Sequence, residues 1–78
     1  MKIEILGTGC TKCKALEEAT KQAVAQSGKF VEIEKVEDIM KIIEYGVMST
    51  PGFVINGKVL STGKLLSINE IVELIKAN

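Results

Sequence analysis

Two kinds of periodicity alternate along this chain, and their order leaves few ways to fold it. Lys2-Ile3-Glu4-Ile5-Leu6 alternates polar and apolar residues as a strand does, and Thr11 to Ser27 then carries Leu16, Ala19, Ala23 and Val24 at helical spacing. Ser27-Gly28 ends that helix, because glycine takes the left-handed cap conformation without a Cβ penalty. Phe30 to Val36 alternates again and predicts a half-buried strand. Two strands joined through a helix in one sheet run parallel, with a right-handed crossover. Asp38 caps a short second helix with apolar positions Ile39, Ile42 and Ile43, stopped by Gly46. Asn56-Gly57, between Gly52-Phe53-Val54-Ile55 and Lys58-Val59-Leu60-Ser61, signals a hairpin with a type I′ turn. Ser67-Ile68-Asn69-Glu70 is a capping box, stapled by Leu66 and Ile71, for a last helix that buries Ile68, Ile71, Val72 and Ile75. The order β-α-β-α-β-β-α predicts an α/β fold. Its four-stranded mixed sheet carries helices on both faces, and its first strand is central.

Composition narrows the class. A chain of 78 residues is expected to form one domain, residues 1–78, with a small core and no internal repeat. Ten basic and ten acidic residues cancel, so charge favours neither nucleic acid nor an anionic membrane as partner. Phe30, Tyr45 and Phe53 are too scattered for a base-stacking platform. The start reads as a first strand rather than a signal peptide, and no stretch approaches the ~20 apolar residues of a membrane span. The expected compartment is the cytoplasm, where a close cysteine pair is more often catalytic or metal-binding than structural.

Both cysteines of the chain lie in Gly9-Cys10-Thr11-Lys12-Cys13, at the point where the first strand hands over to the first helix. The positive end of the helix dipole stabilises a thiolate at Cys10, which makes it nucleophilic below the ~8.5 pKa of a free thiol. Cys13 lies one turn deeper, close enough to close a small disulfide ring. A C-x-x-C beside a strand-helix-strand pattern is a redox motif. The bland reading, two small core hydrophobes, fits the spacing and location poorly. Gly7-Thr8-Gly9 lacks the third glycine of a dinucleotide fingerprint, and no phosphate loop is present, so the glycines are read as a sharp backbone turn beneath the sulfur. No cofactor is expected.

Cys10-Thr11-Lys12-Cys13 after strand one, with Ser49-Thr50-Pro51 just before the hairpin, resembles the thioredoxin and glutaredoxin superfamily. The shortness of the chain and its Gly7-Thr8-Gly9-Cys10 entry resemble most the minimal small redox-active disulfide proteins of archaea and bacteria. The likeness spans essentially the whole chain. It implies a minimal thioredoxin-like fold and a thiol–disulfide oxidoreductase. The redox-active disulfide would be Cys10-Cys13, with Cys10 attacking and Cys13 resolving the mixed disulfide. Pro51 would match the superfamily's cis-proline, with the Thr50 backbone offered to an extended substrate by strand addition. Gly63 would keep the third side of that groove open, or else is an ordinary loop glycine. Val47 and Met48 would form an apolar lip, or else belong to the core. Lys12 either stabilises the reduced thiolate or is a solvated lysine. Glu4 stands at the spacing of the buried acid of thioredoxins, yet it alternates with Ile3 and Ile5 like an exposed residue. Thr11-Lys12 replaces the usual Gly-Pro, and Gly9 stands where thioredoxins carry tryptophan, so potential and substrate are left open. Expected partners are disulfide-containing protein substrates and a reductase, met by a monomer through transient mixed disulfides.

The alternative is a soft-metal module, since copper-transfer domains of similar length also place a C-x-x-C after their first strand and thiolates select Cu(I). Thr8 stands at the position where such domains carry methionine, and their second strand leads into another strand rather than a helix. With no histidine and no third cysteine, a single chain cannot complete a four-ligand zinc site.

Overall fold

Strand β1 (Lys2–Leu6) runs through the middle of a four-stranded sheet, and the rest of the chain is arranged around it. The computed structural model describes residues 1–78. After β1 come α1 (Thr11–Ser27), β2 (Glu32–Val36), α2 (Ile39–Glu44), β3 (Gly52–Ile55), β4 (Lys58–Thr62) and α3 (Ile68–Ala77). The strand order is β2-β1-β3-β4. β1 pairs with β2 in parallel, as a strand-helix-strand unit requires, and with β3 antiparallel. The β3–β4 hairpin turns on Asn56 and Gly57, both with positive φ (51° and 83°), as a type I′ turn demands. Asn56 also ties the turn to β1, accepting the Lys2 N–H on its side-chain oxygen at 2.9 Å.

The two faces of the sheet bury unequal cores. Ile3 and Ile5 of β1 and Phe53 and Ile55 of β3 pack with Leu16 and Ala23 of α1, Ile71 and Ile75 of α3, and Leu66 in one cluster. Leu6, Val36 and Val54 point to the opposite face and form a smaller cluster with Ile42 and Val47, flanked by the half-buried Tyr45 and Val59. Period-two alternation in the strands therefore sends one set of side chains to α1 and α3, and the other to the short α2.

The helix ends follow their sequence signals. Cys10 is the N-cap of α1, and Gly28 closes it at φ 70°. Asp38 caps α2 by accepting the Met40 N–H at 2.9 Å. The capping box of α3 is complete: the Glu70 N–H donates to Ser67 Oγ at 3.1 Å, and the Ser67 N–H donates to Glu70 Oε1 at 3.0 Å.

Two expectations change. β2 starts at Glu32 rather than Phe30, because Glu32 already pairs with Lys2 and β1 has almost no chain left beyond it. Phe30 is left 98% exposed. In α2 only Ile42 is buried, whereas Ile39 and Ile43 face solvent, since a helix this short presents one contact row to the sheet.

Candidate active site

The site is assembled where β1 ends and β3 begins. Because the two strands are antiparallel neighbours, β1 delivers the cysteine loop to the same edge from which the chain enters β3 at Pro51. Gly7 extends the β1–β2 ladder by one bond, donating its N–H to Val36 at 2.9 Å. Gly9, at φ 87°, then turns the backbone into the helix. That conformation favours glycine.

Cys10 and Cys13 form a disulfide with a Cα–Cα separation of 5.1 Å. Their surroundings differ sharply. Cys10 is exposed at the N-cap, and the Cys13 N–H donates to its Sγ at 3.2 Å. Cys13 is 5% exposed. Cys10 Sγ therefore meets solvent and an amide donor together, while Cys13 Sγ lies in a tight slot. A Cβ on Gly7 would collide with Cys13 Sγ, and the same point lies 3.8 Å from Thr50 Cβ. Gly7 thus holds open the space in which the second sulfur and Thr50 converge. Sequence reasoning read it only as part of a turn, and nothing in a Gly-Thr-Gly string distinguishes a glycine needed for space from one needed for φ.

The Thr50-Pro51 peptide is cis. Pro51 is fully buried, while Thr50 is exposed. Gly63, at φ 66°, donates its N–H to the Pro51 carbonyl at 2.8 Å and lies against Ser49. Thus Thr50 lies beside the cysteine loop, and Gly63 is tied to Pro51, the next residue in the chain. Val47 and Met48, read above as a pair, separate: Val47 belongs to the smaller core, and Met48 is 97% exposed. Lys12 is exposed on the first turn of α1, with no ion-pair partner. One neighbour was not anticipated. The Glu37 carboxylate reaches the cysteine loop, 3.8 Å from where a Gly9 Cβ would stand.

Glu4 is engaged elsewhere. Its Oε1 accepts the Tyr45 hydroxyl at 2.6 Å, and it lines a groove with Lys41 and Glu44 beside α2. The hydrogen bond to Glu4, then burial, pushes the Tyr45 phenol up. Its carboxylate is thus held by the α2 side of the sheet rather than by the cysteine pair.

A surface cysteine joined to a buried one across a helix N-terminus defines a dithiol–disulfide centre. The element following β2 is a helix, which also separates this fold from the copper-domain alternative. Residues 1–76 match the thioredoxin domain family. The chain is 36% identical over 75 residues to a thioredoxin of Methanothermobacter thermautotrophicus, covering 96% of this chain and 97% of the relative. It is 41% identical over 75 residues to a thioredoxin of Methanocaldococcus jannaschii, covering 96% and 86%. The chain belongs to the thioredoxin family. It is a thiol–disulfide oxidoreductase that acts on protein disulfides through the Cys10-Cys13 pair, and the soft-metal reading is not favoured.

Proposed function

We propose that Cys10 is the attacking sulfur and Cys13 the resolving one. In the reduced protein, the Cys10 thiolate attacks one sulfur of a partner disulfide and expels the other as a thiolate. Cys13 then loses its proton and attacks Cys10 Sγ. The Cys10-Cys13 disulfide closes, and the partner leaves with two electrons and, after protonation, two thiols. The observation that carries this assignment is the contrast in exposure: a partner sulfur has a path to Cys10 and none to Cys13. The Cys13 N–H stabilises a thiolate at Cys10 for the same reason that a helix N-terminus attracts anions.

The remaining groups are positioning and binding residues in this reading. The exposed Thr50 offers its backbone to an extended substrate segment, with Pro51 behind it and Gly63 keeping the third side of the groove open. Met48 forms an apolar rim, and Lys12 supplies a positive charge near the thiolate. The partners are disulfide-bearing protein substrates and a reductase that restores the dithiol. Residues 1–78 act as one unit, as a monomer, in the cytoplasm.

Limiting iodoacetamide on the reduced protein tests the assignment directly. Alkylation is expected at Cys10, and preferential labelling of Cys13 reverses the roles. Cys13→Ser is expected to accumulate a mixed disulfide with disulfide-bonded insulin that dithiothreitol releases. Equal accumulation by Cys10→Ser contradicts the mechanism.

A further inference from the structure

Four of the six large apolar side chains left exposed on this molecule lie between residues 39 and 48: Ile39 (60%), Met40 (66%), Ile43 (60%) and Met48 (97%). Ile39, Met40 and Ile43 fall within about 100° of arc on α2, opposite to neither core but clear of both. Ile43, Gly46, Val47 and Met48 continue that surface as a shallow apolar groove of about 460 Å³. Both flanks of this stretch reach the cysteine loop. Glu37, just before α2, approaches Gly9, and Thr50, just after Met48, approaches the point where Gly7 faces Cys13 Sγ. The segment that carries the exposed apolar face is therefore held beside the cysteine loop at both of its ends, next to the surface that any protein exchanging a disulfide with Cys10 must touch.

We infer that the outer face of α2, formed by Ile39, Met40 and Ile43, is a docking surface for partner proteins that carry apolar side chains beside their disulfides. This rests on the oxidoreductase reading and deepens it, because it assigns a substrate class. Extent argues for a transient partner over a second copy. A six-residue helix and one methionine offer roughly a few hundred Å², against the ~800 Å² per partner of a stable interface, and redox encounters sit at the small end of that range. Composition points the same way. Unbranched, polarisable methionine adapts to differently shaped partners, which suits a surface that meets several of them in turn.

The test compares two disulfides of different size. Pre-reduced protein is mixed with insulin or with hydroxyethyl disulfide, and the second-order rate of substrate reduction is followed as the Cys10-Cys13 disulfide re-forms. The triple variant Ile39→Gln, Met40→Gln, Ile43→Gln keeps helix-compatible side chains. It is expected to react about tenfold more slowly with insulin and within twofold of the parent with hydroxyethyl disulfide. The triple variant to leucine is expected to recover the insulin rate, because apolar contact and not residue identity is at issue. An unchanged insulin rate in the glutamine variant overturns the inference, and so does an equal loss on both probes. Sedimentation adds a further outcome: a dimer in the parent that the glutamine variant dissolves makes the face a self-interface and overturns partner docking. A parent protein that reduces neither probe removes the oxidoreductase reading itself, and the docking inference with it.

Discussion

At the scale of single residues, Gly7 and Cys13 depend on each other more than either depends on the backbone turn. A methyl group at position 7 would occupy the space of Cys13 Sγ. Gly7→Ala should therefore act as an overpacking substitution, costing about 1–3 kcal/mol in urea unfolding of the oxidised protein and slowing closure of the disulfide. Loss of stability with an unaltered closure rate would place the clash elsewhere. Gly9→Ala should act differently, through its φ of 87° rather than through space, since only a carboxylate oxygen stands near. The pair separates two uses of glycine that a string of letters cannot distinguish.

At the scale of elements, α3 is set by its cap. Ser67→Ala removes the acceptor for the Glu70 N–H and should cost ~1 kcal/mol in urea unfolding. The Glu70 carboxyl is held below its ordinary value of 4.5, first by the Ser67 backbone N–H and then by the Lys64 ammonium. Folding therefore favours the ionised form. Its contribution is present above about pH 4.5 and is lost as pH falls through the lower folded value. Glu70→Gln keeps a capping acceptor but cannot ionise, so the difference from the parent should be larger at pH 7 and fade towards pH 3 in pH-resolved melts. A constant difference across that range would assign the effect to the hydrogen bond alone. The elements most legible in the sequence are those with chemical punctuation: the Asn56-Gly57 turn, the Ser67 capping box and the Gly28 stop. Phe30 misled because strand length is set by the partner, and β1 offers nothing for it to pair with. Ile39 and Ile43 misled because apolar spacing records a face without saying what covers it. The Cys10-Cys13 disulfide and the cis peptide at Pro51 were legible from the resemblance that their motifs carry. The slot made by Gly7 and the approach of Glu37 were not, because both arise from contacts between distant segments.

At the scale of the whole molecule, the asymmetry of the two cores decides how the protein holds together. Phe53 is fully buried in the nine-residue cluster, and Phe53→Ala should cost about 3–5 kcal/mol. A small domain has only ~5–15 kcal/mol in total, so the midpoint in urea should fall by a large fraction. Within α2 only Ile42 is buried in the five-residue cluster, with Tyr45 at the C-cap adding half-buried packing and a hydrogen bond to Glu4. Amides of α2 should accordingly exchange with deuterium faster than those of β1, β3 and α1 in the intact protein. Protection of α2 equal to that of β1 would show the two cores to be one cooperative unit.

The antiparallel pairing of Leu6 with Gly52 also bears on what sequence change this architecture tolerates. The cysteine loop leaves β1 just past that pair, and Pro51 stands just before it, so one cross-strand pairing aligns two segments that are remote in the chain. Lengthening the turn after α1, at Gly28 and Lys29, moves neither segment. An insertion of one residue inside β3 shifts the register by about 3.4 Å and turns each side chain to the opposite face. It would either displace Pro51 relative to the sulfurs or turn β3 side chains such as Phe53, Val54 and Ile55 away from the cores they fill, according to which side of the insertion keeps its pairing. Length variation is thereby barred from one stretch of a very short chain and admitted in another, for a reason that belongs to the sheet rather than to the chemistry.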